Sequence, residues 1–162
     1  PANPVAELTS KQVKDIYLGR ITNWAQLGGV NQPIVMLSRE SSSGTFGVFS
    51  DLVLDKEKMS GGVEYVNSNE HMRKRVSTTV GAIGYVGLGY VDRSVKAVKL
   101  DGVVPNRRTV GSGQYPVARP LFMVTNGYPK LDSAVHQFVT YYLTEEGQDL
   151  IEEKGFVPVT NY

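Results

Sequence analysis

Residues 33–46 read PIVMLSRESSSGTF, and their order decides the fold. Pro33 opens a short apolar run through Leu37 that suits a buried strand. One arginine, three consecutive serines, a glycine and a threonine follow, after which Phe46, Phe49, Leu52 and Val53 recur at helical spacing. The segment is therefore strand, small-residue loop, helix. A helix start leaves backbone N–H groups unpaired and carries about half a positive charge, so such a loop is a physical anion site. Ser43 and Thr45 add hydroxyl donors, and Arg39 offers a planar fork that grips two oxygens of one tetrahedral anion. The same residues also fit a plainer arrangement, in which Ser42 or Ser43 caps the helix and Arg39 pairs with a nearby carboxylate.

Upstream, LTSKQVKDIYLG predicts a helix over residues 10–18: Thr9 and Gln12 have capping-box spacing, Leu8 and Val13 form a hydrophobic staple, and Gly19 takes the left-handed C-terminal position. ITNWAQLGG is turn-rich. Downstream, VEYVN predicts a strand, NEHMRKRVST an exposed helix, and GAIGYVGLGYV a glycine-punctuated strand with a tight turn. SVKAVKL and RPLFMVTN predict two more strands. Two helices close the chain, the first with Leu131, Val135, Phe138 and Tyr142 on one face, the second with Leu150 and Ile151 and a stop at Gly155. Strands interleaved with helices give an α/β class, a mixed sheet flanked by helices and at least partly parallel. Glycine and proline concentrate in VGSGQYPVARP, residues 110–120, which is the expected seam.

Composition narrows the chemistry. At 162 residues the chain suits one ordinary domain with a real core, and 41% hydrophobic with 20% charged residues predicts a soluble folded protein. Seventeen basic against sixteen acidic side chains give a net charge of +1, without the basic field of a nucleic-acid binder. HMRKR, residues 71–75, accordingly reads as a solvated helix face. Cysteine is absent, so disulfides, thiolate catalysis and cysteine-based zinc sites are excluded. His71 and His136 have no ligand-spaced neighbours, and no metal is expected. The glycines of GAIGYVGLG do not match a dinucleotide fingerprint, and Ser41–Ser43 lack a nucleophile elbow or an evident base, so neither a cofactor nor an enzymatic activity is expected. Trp24 and Tyr85, Tyr90, Tyr115, Tyr141 and Tyr142 read as packing residues. The N-terminal PANPVAEL has neither the charged nor the apolar region of a signal peptide, and no apolar run is long enough to span a bilayer.

Five blocks in order, LTSKQVKDIYLGRITNWAQLGG, PIVMLSRESSSGTF, GAIGYVGLGYV, YPVARPLFMVTN and FVTYYLTEEGQDLIEEKGFVPV, resemble the phosphate-binding proteins of bacterial ABC transporters over nearly the whole chain. The resemblance implies one lobe of a type II periplasmic-binding-protein-like fold: a second-lobe-like anion-binding domain over residues 1–115, then a strand and helices over 116–162 that in the family pack on a first lobe, expected to precede Pro1. It implies binding of inorganic phosphate or a similar oxyanion by Arg39, Ser43, Gly44 and Thr45, with Ser41 and Ser42 as further candidates. Where the family carries an acid two positions after the arginine, this chain has Ser41. An extracytoplasmic location and a transporter permease as partner follow from the same resemblance. The alternative is an interaction or scaffold module that keeps the fold without the ligand. A further expectation is a homodimer through the C-terminal segment, hinged at residues 110–114, because its encoded apolar face needs a cover.

Overall fold

The computed structural model describes residues 3–159, which divide into two compact units between Ala118 and Arg119. In the first unit the elements run β1 (Glu7–Leu8), α1 (Ser10–Tyr17), β2 (Val35–Arg39), α2 (Gly44–Leu52), β3 (Glu64–Val66), α3 (Asn69–Thr78), β4 (Ala82–Ile83), β5 (Lys99–Leu100) and α4 (Arg107–Gly111). The second unit holds α5 (Ala134–Tyr141) and α6 (Glu145–Glu153).

Helix α1 forms where its caps demand. The Thr9 hydroxyl accepts from the Gln12 amide, the Gln12 side chain accepts from the Thr9 amide, and Gly19 follows with φ of 76°. Asp15, Ile16 and Tyr17 are turned inward. Helix α3 begins at Ser68, whose hydroxyl accepts from the His71 amide, and spans the ten residues that the sequence predicts.

Two parallel sheets organise the unit: β3–β2–β4, with Arg39 opposite Val66 and Met36 opposite Ile83, and the pair β1–β5. Parallel neighbours need crossovers, and α2 and α3 supply them. The central strand β2 is the most shielded, with Leu37 and Ser38 fully buried. Val5, Leu8, Ile16, Tyr17, Phe49 and Leu54 belong to the main core, while Leu37, Val66 and Met72 form a second cluster. The α/β class expected from the sequence holds, with antiparallel pairing limited to the bridges Asn23–Pro33 and Leu100–Val103 among the described residues.

Several expected strands are shorter. GAIGYVGLGYV pairs only at Ala82–Ile83 and then runs through an irregular segment to a 3-10 turn at Leu88–Tyr90. SVKAVKL pairs only at Lys99–Leu100, because its partner β1 is two residues long. RPLFMVTN is not a strand: residues 119–126 pair with nothing in a ladder, and Leu121, Phe122 and Val124 stand exposed. Leu131, Val135 and Phe138 of the expected C-terminal face are exposed too, as is Tyr141, expected to pack. Helix α6 stops where Gly155 takes φ of 82°.

Candidate anion-binding site

In an open parallel sheet, ligand chemistry gathers at the carboxyl ends of the strands. Arg39 is the last residue of β2, at that edge. The chain turns through Ser41 and Ser42, with the Ser43 amide donating to the Glu40 carbonyl at 2.9 Å, and enters α2 at Gly44. Ser43 is the cap: its hydroxyl accepts from the Thr45 amide at 3.2 Å. The Gly44 and Phe46 amides have no protein acceptor among the described residues, as the first turn of a helix dictates. Ser41, Ser42 and Gly44 are exposed, Ser43 and Thr45 half-buried. Ser41 and Ser42 line, with Glu40, Phe46 and Tyr65, an open depression of about 450 Å³.

The Arg39 guanidinium faces the next strand end. Its Nη1 donates to Asn69 Oδ1 at 3.1 Å and its Nη2 to the Asn67 carbonyl at 3.0 Å. Asn67 lies in the β3–α3 connection and Asn69 is the first residue of α3, which the parallel register sets beside the end of β2. The carboxylate partner left open by the sequence is not found: among the described residues Arg39 makes no ion pair. Its buried Nε–H has no acceptor among the described residues. One N–H on each terminal nitrogen is likewise unclaimed among the described residues, so the fork keeps spare donors.

A hydrogen-bonded ring fixes the backbone from which this side chain springs. The Arg39 amide donates to Tyr85 Oη at 3.1 Å, Tyr85 Oη lies 2.7 Å from Ser38 Oγ, and Ser38 Oγ donates to the Arg39 carbonyl at 3.2 Å. With the tyrosine accepting from the amide and the serine donating to the carbonyl, the hydroxyl between them is given by Tyr85 to Ser38. Strand β4 ends at Ile83, so the Tyr85 side chain supplies the acceptor that strand pairing would have supplied to Arg39. Its ring stacks on Phe49 of α2, centroids 4.0 Å apart, and Phe49 meets Tyr17 edge-on at 4.7 Å. Burial pushes the Tyr85 phenol up, only partly offset by Ser38 and the Arg39 amide, and raises Tyr17 well above its ordinary value. Both remain neutral hydroxyls at physiological pH.

Sequence reading placed Arg39, Ser43, Gly44 and Thr45 on one strand–loop–helix unit, and the fold holds them there. It missed Asn67, Asn69 and the second role of Tyr85. Asn69 carried a partial signal, since NEHMRKRVST was legible as a helix, but which strand lies beside β2 was not.

The model of the PBP superfamily domain matches residues 1–146. The chain belongs to the PBP superfamily. Within it, the chain is similar to the phosphate-binding protein PstS. It is 31% identical to the phosphate-binding protein PstS of Borreliella burgdorferi across 98% of this chain and 61% of that protein, and 32% identical to PstS of Bacillus subtilis across 99% and 53%. A Clostridium perfringens crystal structure with bound phosphate, described as a phosphate ABC transporter substrate-binding protein, is 37% identical and superposes with a TM-score of 0.87 over 98% of this chain and 65% of that one. The chain thus spans about half to three fifths of the length of the curated relatives it matches. These relatives are solute-binding proteins, not enzymes.

Proposed function

We propose that this chain binds inorganic phosphate, or an oxyanion of the same shape and charge, through the Arg39 guanidinium, the Ser43 and Thr45 hydroxyls and the Gly44 amide, with Ser41 and Ser42 at the rim. The observation that carries the reading is Arg39 itself: a guanidinium anchored only by neutral groups, with donors to spare, at the strand end that leads into a helix N-terminus. The relatives' phosphate chemistry supports it. On this reading the chain acts outside the cytoplasm as substrate-binding component of an ABC-type phosphate uptake system, or of a sensor derived from one, with the transporter permease as its membrane partner. Among the described residues no helix is long and apolar enough to cross a membrane.

Each charge-assisted hydrogen bond contributes about 1.5 to 3 kcal/mol, and association costs at least about 4 kcal/mol. Four such contacts on one open lobe therefore leave on the order of 4 kcal/mol, a millimolar dissociation constant. Isothermal titration with phosphate and with sulfate, on the wild type and Arg39→Ala, tests the reading. Saturable heat that Arg39→Ala abolishes supports it, and heat unaffected by that substitution contradicts it.

The exposed Phe122, Val124, Leu131 and Phe138 of the second unit support a homodimer formed through the C-terminal segment.

A further inference from the structure

We propose that Asn69 is the positioning residue for Arg39, and that by doing so without charge it makes the site prefer the doubly charged form of its ligand. This rests on the phosphate reading above. The geometry is specific: the first residue of α3 receives one guanidinium nitrogen at 3.1 Å, and the Asn67 carbonyl two residues earlier receives the other at 3.0 Å. Two acceptors two residues apart fix both the direction and the plane of the fork.

A carboxylate in the place of Asn69 would orient the fork equally well but would cancel its charge. An amide orients it and leaves the full positive charge for the ligand. The groups that face this guanidinium do not neutralise it. Tyr85, from the β4 side, is a neutral phenol on the Arg39 amide. Tyr65, of β3, lines the neighbouring depression. Glu40 and Glu70 are exposed and make no ion pair with Arg39 among the described residues. The exposed His71 lies 3.3 Å from Asn67 Oδ1, and the first turn of α2 carries no acid.

An uncancelled unit charge at about 4 Å in water-like surroundings favours a dianion over a monoanion by about fivefold. Phosphate gains its second charge near neutral pH, so binding tightens as pH rises from about 6 to 8.

Two readouts on the full chain test this at low ionic strength. The first needs no ligand: the buried Arg39 Nε–H gives a solvent-protected resonance in the wild type, which Asn69→Ala broadens and Asn69→Asp retains. The second is phosphate titration at both pH values. The wild type binds about fivefold tighter at the higher pH, Asn69→Asp loses that preference, and Asn69→Ala binds about tenfold more weakly at both. An Nε–H signal unchanged in Asn69→Ala overturns the positioning role whether or not phosphate binds. A pH preference shared by wild type and Asn69→Asp overturns the charge role. Failure of phosphate to bind the wild type, with the Nε–H result as expected, overturns the phosphate reading and the charge preference while leaving the positioning role standing. Matched circular dichroism spectra and melting curves establish that the variants fold.

Discussion

Replacing Tyr85 by Phe removes one oxygen atom and keeps the ring that stacks on Phe49 at 4.0 Å, so packing is conserved while the ring of hydrogen bonds around Arg39 opens. The consequences for its two neighbours differ. Ser38 Oγ still donates to the Arg39 carbonyl at 3.2 Å. The Arg39 amide loses its acceptor, and because β4 has ended at Ile83 no ladder partner on that side takes over. A shielded N–H left unpaired costs about 1–3 kcal/mol, against about 0.5–1.5 kcal/mol for an ordinary exchanged hydrogen bond. Tyr85→Phe should therefore destabilise the first unit by about 2 kcal/mol, a fall in melting temperature of about 4–8 °C. Ser38→Ala leaves the amide bonded to Tyr85 but takes the acceptor from the Tyr85 hydroxyl and the donor from the Arg39 carbonyl, so it should cost a comparable amount. The assay is urea unfolding followed by the fluorescence of Trp24, the single tryptophan, buried in that unit with its Nε1–H donated to the Gly81 carbonyl at 2.8 Å. A loss below about 0.5 kcal/mol for Tyr85→Phe would refute the assignment of donors around Arg39.

Three further outcomes follow from the same structure. Gly81 has φ of 79°, and a Cβ there would lie 2.4 Å from the Pro33 carbonyl, so Gly81→Ala should destabilise by about 1–3 kcal/mol and perturb the Trp24 emission maximum. Lys11 and Arg20 hold the Asp15 carboxyl below the usual carboxylate range. Its contribution is therefore present above the unfolded value of about 3.9 and lost as pH falls through the lower folded value. Acid titration of unfolding free energy should show that fall flattened in Asp15→Asn. For the homodimer, light scattering should give a dimeric mass at high micromolar concentration that Phe122→Lys shifts toward monomer; a monomeric mass for the wild type contradicts it.

Local signals were legible where a residue and its partner lie within one turn. The Thr9–Gln12 box and the Ser43 cap belong to that kind, and those helices begin where those residues stand. The Ser68 cap of α3 and the Asn106–Thr109 box of α4 are signals of the same kind that the sequence also carries. Strands were less legible, because a strand exists only where a partner pairs with it. SVKAVKL alternates well but meets only Glu7–Leu8, and PLFMV is apolar yet has no ladder. The same limit hid half of the site. Ser43, Gly44 and Thr45 follow Arg39 in the chain, whereas Asn67 and Asn69 reach it across parallel strands, and Tyr85 reaches it from just past the end of β4 on the other side of β2. Strand order and register, set by the packing of α2, α3 and the aromatic stack, decide those contacts.

The most direct test of the central claim is a phosphate titration of the full chain observed at the backbone amides of Ser43, Gly44 and Thr45, run in parallel on Arg39→Lys. The wild-type amides should move together to saturation with a dissociation constant on the order of millimolar. Arg39→Lys should weaken that binding at least about tenfold, since a point charge cannot replace the fork. Amides that stay in place at phosphate concentrations on the order of tens of millimolar, or that move alike in both proteins, would contradict the assignment of this loop as the phosphate site.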